Sequence, residues 1–298
     1  MSPAVHKPKP PWLKRRLALK SSANEVSALL RDLNLHTVCQ GAHCPNQLEC
    51  FGNGTATFMI LGDVCSRNCT FCAVPPGTQE PPQPDEPERV AEAVKRLGLH
   101  YVVITSVTRD DLANGGASHF AATIEAILST RTHVLVEVLV PDFRGSLKGL
   151  ATVLEAQPSV LNHNVETVSR LYPTVRPQAN YQRSLRLLAE AKRLDAKIIT
   201  KSGFMVGLGE KPEEVVALLE DLRRVGCDLV TIGQYLCPSK DHHPVVEYVH
   251  PERFAAYKQA AERLGFRGVA AGPYVRSSYK ADNLYRKARG IKDAQLQR

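Results

Sequence analysis

The sequence has no apolar run long enough to span a bilayer, so it is not built around a transmembrane helix. The basic start, apolar stretch and small-residue cleavage site of a secretory signal are also missing. There is no internal repeat, which argues against a solenoid or propeller. Low complexity is confined to one proline-rich connector over 75–87. Asp and Glu are absent from the first 24 residues, where KPKPPWLKRRL is basic. A start of that kind suits an organelle transit segment, but its prolines spoil the amphipathic helix such segments form. The expectation is a cytoplasmic protein, in which thiols stay reduced.

What is present bounds the answer further. The 298 residues, 43% hydrophobic and 23% charged, can bury an ample core in one large domain or two smaller ones. A net charge of +8 would suit an acidic partner. Six of the eight cysteines crowd into one N-terminal stretch, as Cys39-x4-Cys44-x5-Cys50 and Cys65-x3-Cys69-x2-Cys72. Disulfides, zinc and iron–sulfur clusters are the three chemistries that use such a set, and a reducing compartment argues against the first.

The pattern predicts a helix over 24–33 and a short strand over 56–62, which delivers the second cysteine trio on the loop that leaves it. The first trio, near Pro45, Gly52 and Gly54, reads as irregular. Residues 1–20 read as an extended arm with Trp12 and Leu13 as anchors. Strands are expected at 101–105, 133–140, 160–164, 197–207 and 228–236, separated by helices at 88–97, 119–128, 147–156, 181–193 and 212–225, with a last helix at 251–264. Strands apolar on both faces and alternating with helices indicate a buried parallel sheet. The fold class is therefore α/β, a partial (β/α)6 TIM-type barrel with an N-terminal extension and a C-terminal tail. Chemistry in such folds gathers at the C-terminal ends of the strands. The polar segments TSVTRDD (105–111), NHNVET (162–167), GLGE (207–210) and GQYLCPS (233–239) fall there.

Three thiolates on one tight loop leave a four-iron cluster with one open position, which a pure electron carrier would normally fill. Zinc would more usually take two CxxC pairs, and only Cys69-x2-Cys72 has that form. With Phe71 before the third cysteine, the loop resembles that of the radical S-adenosylmethionine (SAM) enzymes. The resemblance implies that Cys65, Cys69 and Cys72 hold a 4Fe-4S cluster whose open iron binds SAM. It also implies that Asn164 and Glu166 hold the SAM ribose, that 203–210 approaches the adenine, and that the end of the second barrel strand, at Thr105 and Ser106, approaches the amino group.

The two trios together with Arg276-Ser277-Ser278-Tyr279 resemble the lipoyl synthase family, as do ITSVTRDDLANGGASHF, NHNVETVSRLYPTVRP, TKSGFMVGLGE and TIGQYLCPS. That resemblance implies a second 4Fe-4S cluster on Cys39, Cys44, Cys50 and a serine oxygen carried over to Ser278, with Ser277 as the neighbouring option. An alkoxide is a hard ligand on a thiophilic cluster and easier to displace than a thiolate, which suits a cluster that surrenders its sulfurs. The implied reaction inserts sulfur at C6 and C8 of a protein-bound octanoyl-lysine, using two SAM molecules. The implied partners are octanoylated lipoyl carrier domains, of the 2-oxoacid dehydrogenase E2 or glycine cleavage H protein type, and a low-potential donor such as ferredoxin or flavodoxin. Neither nucleic acid nor membrane is expected. The implied division is 1–54 for the auxiliary cluster extension, 55–270 for the barrel and 271–298 for the ligand-bearing tail. Cys227 and Cys237 read as packing residues, His163 as a hydrogen-bonded strand-end histidine, and His242 and His243 as surface residues.

Overall fold

Alternating apolar strands and amphipathic helices wind the chain into a one-ended barrel wall, described by a computed structural model for residues 8–14, 22–52, 56–130 and 133–291. Most of the arm expected over 1–20 lies outside the described residues, as does the 54–55 boundary. The N-terminal part carries α1 (Ser22–Asp32), β1 (His36–Thr37), α2 (Val38–Gly41) and α3 (Gln47–Gly52). The repeating part follows as β2 (Thr57–Ile60), α4 (Glu86–Arg96), β3 (Tyr101–Ser106), α5 (Ala117–Leu128), β4 (Leu135–Leu139), α6 (Leu147–Glu155) and β5 (Val160–Asn162). It continues through α7 (Tyr172–Val175), α8 (Tyr181–Leu194), β6 (Ile199–Val206), α9 (Pro212–Arg224), β7 (Leu229–Gln234), α10 (Pro251–Arg263), β8 (Gly268–Gly272) and α11 (Ala281–Arg289).

One eight-stranded sheet runs β1 to β8 in sequence order. The six strands expected from the sequence are β2–β7, and all pair in parallel. Two more flank them: β1 pairs antiparallel with β2, and β8 pairs in parallel with β7. The helices begin where local chemistry satisfies their first N–H groups. Asn180 accepts from the Arg183 N–H at the start of α8, Ser146 accepts from Gly149 at α6, and Pro212 opens α9 where no N–H is needed. Each covers the sheet with an apolar stripe, such as Val215, Leu218, Leu219 and Leu222 of α9.

The packing divides into two halves and a floor. One core joins β2–β5 to α1 and α4–α6, and another joins β6–β8 to α7–α10. The floor is α11, whose Leu284, Tyr285 and Ala288 pack on Val160, Ile199 and Leu229 at the N-terminal ends of the strands. Above the floor sits a fully buried ion pair, Lys201 Nζ to Glu137 Oε1 at 2.8 Å. It is completed by Asn162 Nδ2 donating to the same carboxylate at 2.9 Å and the Tyr101 hydroxyl at 2.6 Å. With every carboxylate oxygen paired, the buried charge is compensated, and the strand bottoms are tied to one another. The polar strand ends are left together on the opposite face. Near the N-terminus the described arm takes a single 3-10 turn at Pro11–Leu13, with Leu13 buried and Trp12 edge-on to His250 at 5.0 Å.

Candidate active site

A cavity of about 730 Å³ lies along the sheet, its lining running from Thr105, Leu139 and Gly233 at the C-terminal part of the strands to Tyr101 and Asp282 near the floor. Its lining includes all six clustered cysteines, Phe71, Asn164, Glu166, Ser277 and Ser278. Residues as far apart in sequence as Cys39 and Ser278 thus face one space.

The loop bearing Cys65, Cys69 and Cys72 is fastened at almost every residue. Leu61, just past β2, has φ 69°, a left-handed conformation costly for a bulky residue. Its N–H donates to buried Glu86 at 2.8 Å, and its carbonyl accepts from buried Arg109 at 3.1 Å. The Ser66 hydroxyl donates to the Thr108 carbonyl at 2.9 Å, and Thr70 N–H donates to Val175 at 3.1 Å. Arg67, buried, forks onto Asp110 at 2.7 and 2.9 Å and reaches Asp142 at 2.6 Å. Burial alone would raise the Asp142 carboxyl, but the Arg67 guanidinium outweighs it and holds that carboxyl well below the usual range. The Arg67 N–H also approaches the Cys65 sulfur at 3.4 Å.

The sequence reading of His242 and His243 as surface residues is corrected here. His242 Nε2 meets the Cys72 carbonyl at 3.0 Å while Nδ1 meets the Ser239 hydroxyl at 2.8 Å. A carbonyl can only accept, so the proton sits on Nε2 and Ser239 donates to Nδ1. The His243 N–H donates to Thr70 at 2.8 Å, and its ring meets the Leu208 carbonyl at 3.0 Å. The long loop after β7 therefore straps the cysteine loop from above. No local signal marks this, because loop residues carry no periodicity.

The first trio is built differently. The irregular stretch expected from the sequence is corrected here, because the trio sits on two short helices: Cys39 on α2, Cys50 on α3 and Cys44 between them. The side chain of Thr37 caps α2 by accepting from the Gln40 N–H. Two long-range bonds bring the C-terminal segment alongside. Asn46 Nδ2 donates to the Tyr274 carbonyl at 2.7 Å, and the Tyr279 hydroxyl donates to Glu49 at 2.8 Å. Ser277 and Ser278 lie between these two anchors and both line the cavity, so spacing and placement alike leave them equivalent.

Burial pushes the Cys39 thiol up to about 11 and the Cys72 thiol up to about 12, and raises Cys69 despite nearby Arg176. Such thiols ionise only when a metal takes the proton's place. None of the eight cysteines is joined in a disulfide. Among the described residues no group of three His, Cys, Asp or Glu converges on one point as a single ion would need. A cubane cluster makes no such demand, because each thiolate ligates a different iron.

The opposite wall suits a polar ligand. Glu166 has φ 63° and bridges to β6, its N–H donating to Gly203 and its carbonyl accepting from Met205. Burial raises its carboxyl against the opposing charge of Arg176. Asn164 Nδ2 donates to Glu166 at 2.9 Å, while Asn164 Oδ1, Arg176 Nε and Ser106 Oγ are buried without partners. Unmet polar atoms on a cavity wall are what the amino-acid and ribose groups of a nucleoside such as SAM would satisfy. Gly203 permits this closeness: a Cβ there would stand 2.6 Å from Thr231 Oγ1 and 2.8 Å from Asn164 Oδ1. Farther along the glycine-rich segment, Gly207 and Leu208 instead donate to Glu210 in a turn away from the lining. Thr105 and Ser106 line the cavity, whereas Asp110 and Asp111 are engaged by Arg67 and Arg109.

Cys227 is fully buried in the second core and Cys237 packs against it; neither lines the cavity. His163 is buried between the Val140 carbonyl and the Ser184 hydroxyl, as a hydrogen-bonded strand-end histidine should be. No helix among the described residues is long and apolar enough to cross a membrane.

Comparison with known proteins agrees with this geometry. A model of the radical SAM superfamily matches residues 59–222. Among solved structures, the hydrogenase maturase HydG superposes with a TM-score of 0.60 at 16% identity, covering 91% of this chain and 66% of that one. Methylornithine synthase does so with a TM-score of 0.54 at 15% identity, covering 85% and 76%. These likenesses establish the fold. The lipoyl synthase of Caldicellulosiruptor saccharolyticus is 58% identical over 274 residues, 92% of this chain and 96% of that protein. That of Caldanaerobacter subterraneus subsp. tengcongensis is 57% identical over 282 residues, covering 95% and 99%. Identity at this level, spread over nearly the whole of both chains and joined to the shared barrel, places this chain in the lipoyl synthase family of the radical SAM superfamily.

Proposed function

We propose that this enzyme is a sulfurtransferase that inserts two sulfur atoms, at C6 and C8, into an octanoyl group amide-linked to a lysine of a lipoyl carrier domain. Superfamily membership implies SAM and a 4Fe-4S cluster. Cys65, Cys69 and Cys72 would hold that cluster, which when bound supplies the electron that cleaves SAM to the 5′-deoxyadenosyl radical. Asn164 and Glu166 hold the ribose, with Phe71 of the cluster loop also at the cofactor. The sulfur comes from a second cluster, consumed as a co-substrate and held by Cys39, Cys44, Cys50 and Ser278. The 1–54 extension and 271–298 tail serve this second site, and 55–270 the first.

The observation that carries the reading is the meeting of both trios and the RSSY segment on one cavity. A radical made at one end of that space can meet an acyl carbon, and the acyl carbon a sulfur, without leaving it. The apolar lining, with Val103, Leu139 and Met59 among its residues, keeps water from the radical. The expected partners are octanoylated E2 or H protein domains and a ferredoxin or flavodoxin as electron donor, in the cytoplasm.

The test incubates reconstituted protein, SAM and reductant with an octanoyl-lysine peptide and weighs the product. A gain of two sulfurs supports the proposal. Deoxyadenosine formed without any sulfur transfer overturns it and leaves only the superfamily chemistry.

A further inference from the structure

The C-terminal end of β4 carries an uncommon turn. Phe143, Arg144 and Gly145 have φ of 46°, 53° and 84°, three successive residues in the left-handed region. Two of them bear side chains that disfavour it, and such strain persists where the surroundings impose it. The surroundings are visible. The Phe143 ring is buried edge-on to Phe120 at 6.4 Å, and Asp142 accepts from the Arg144 N–H at 3.1 Å. Anchored on both sides, the turn projects Arg144 into solvent.

The turn adjoins the active cavity. Val140 and Pro141, just before it, line that cavity, and Asp142 holds Arg67 of the cysteine loop. Arg183 of α8 lies along Gly145, with side-chain carbons 3.8 Å from where a Cβ would be. Arg186, one turn on, shares a shallow depression with Gly145, Ser146 and Leu147. Lys148 follows next in the chain. Arg144, Lys148 and Arg186 are exposed and form no ion pair among the described residues. Elsewhere surface arginines are commonly answered, as in Arg170–Glu214, Arg193–Glu190 and Arg253–Glu247. Beside the unanswered cations lies Leu147, one of the few large apolar side chains left exposed.

We infer that Arg144, Lys148 and Arg186, around Leu147, form a docking surface for a carboxylate-rich face of the protein domain that carries the acyl-lysine. This rests on the reading that the acyl group arrives on a protein: whatever brings a lysine arm to this cavity must set a protein face beside it. Unpaired cations at such a place attract an acidic domain over a Debye length and fix its orientation, which speeds encounter more than it tightens the final complex. The strained turn gives the arrangement its fixed geometry.

The experiment compares wild type with the triple variant Arg144→Glu, Lys148→Glu, Arg186→Glu, both carrying their clusters, on two substrates: an octanoylated acidic carrier domain and a short uncharged octanoyl-lysine peptide. Binding of the domain is also followed by fluorescence anisotropy, independently of turnover. The expected result is a KM for the domain raised roughly tenfold to a hundredfold, an unchanged kcat/KM for the peptide, and a salt dependence of domain binding that flattens in the variant. Equal loss on both substrates, or unchanged domain binding with the same salt dependence, overturns the inference. If wild type transfers no sulfur to either substrate the proposed function fails instead, and the anisotropy arm still decides the docking surface. The variant Arg144→Lys, Arg186→Lys keeps the charge and should bind the domain as wild type does.

Discussion

The two cysteine trios are held in opposite ways. The loop of Cys65, Cys69 and Cys72 sits on the parallel sheet and is bound to the ends of β3 and β4 by the buried Arg67–Asp110–Asp142 network, to α7 by Thr70, and to the loop after β7 by His242. The trio of Cys39, Cys44 and Cys50 rides on two short helices outside the barrel wall. It meets its proposed fourth ligand through the bonds Asn46–Tyr274 and Tyr279–Glu49, which join segments 228 and 230 residues apart. One site is cut into the scaffold, and the other is assembled between two flanking segments laid against it. A cluster that must survive every turnover suits the first construction. One that, as proposed, would be consumed and replaced suits the second, where a local opening need not disturb the sheet.

Exchanging the fates of the trios is the strongest way to break this contrast. Alanine at Cys65, Cys69 and Cys72 should abolish deoxyadenosine formation and halve the iron content. Alanine at Cys39, Cys44 and Cys50 should halve the iron equally, leave deoxyadenosine formation in place and abolish sulfur transfer. Iron, sulfide and deoxyadenosine assays separate the two. Loss of deoxyadenosine in both would mean that the sites are not distinct.

Next in size is the difference in anchoring. Arg67→Ala removes one side of a buried pair and should destabilise the fold by about 3–5 kcal/mol, read from the denaturant midpoint. Tyr279→Phe removes a single hydrogen bond beside the first trio and should cost about 1 kcal/mol. Acidity sharpens the reading. Despite the burial that opposes it, the Asp142 carboxyl is depressed by Arg67, so the pair contributes stability that is full above the unfolded carboxylate value and is lost as pH falls through the lower folded one. The gap between wild type and Arg67→Ala should therefore narrow below about pH 4. A gap that widened there would refute the assignment.

The smallest effect concerns the strap. His242→Ala should lower the rate of deoxyadenosine formation roughly tenfold without loss of iron, and His242→Gln, which can still donate to Cys72, should recover part of it. Should the alanine variant instead lose iron along with activity, His242 is needed for the site to form at all.

The sequence was most legible where burial imposes a pattern. Strands β2–β7 are apolar on both faces and their helices have long stripes, so both the barrel and the position of the second trio could be read directly. β8 carries no strand signal, because Gly268-Val-Ala-Ala-Gly272 has no bulky run. A Cβ at Gly268 would lie 2.8 Å from Leu229, so that strand must be thin to sit where it does. The helices α2 and α3, four and six residues long, are too short to show a period. His242 and the cations at 144, 148 and 186 act across distances that only the folded chain closes. Of the candidate site, the residue types and their spacing were visible in advance, but the network that positions them was not.

The Asn46–Tyr274 bond carries a consequence for biogenesis. A ribosome delivers residue 46 long before residue 274, so the arrangement around the first trio is completed only when nearly the entire barrel has emerged. The Cys65 loop depends mainly on strands made soon after it, although its strap too comes late. On the proposed reading, iron–sulfur delivery to the outer site would be deferred to a nearly complete barrel, the same state in which it would need to be refilled after each round of use.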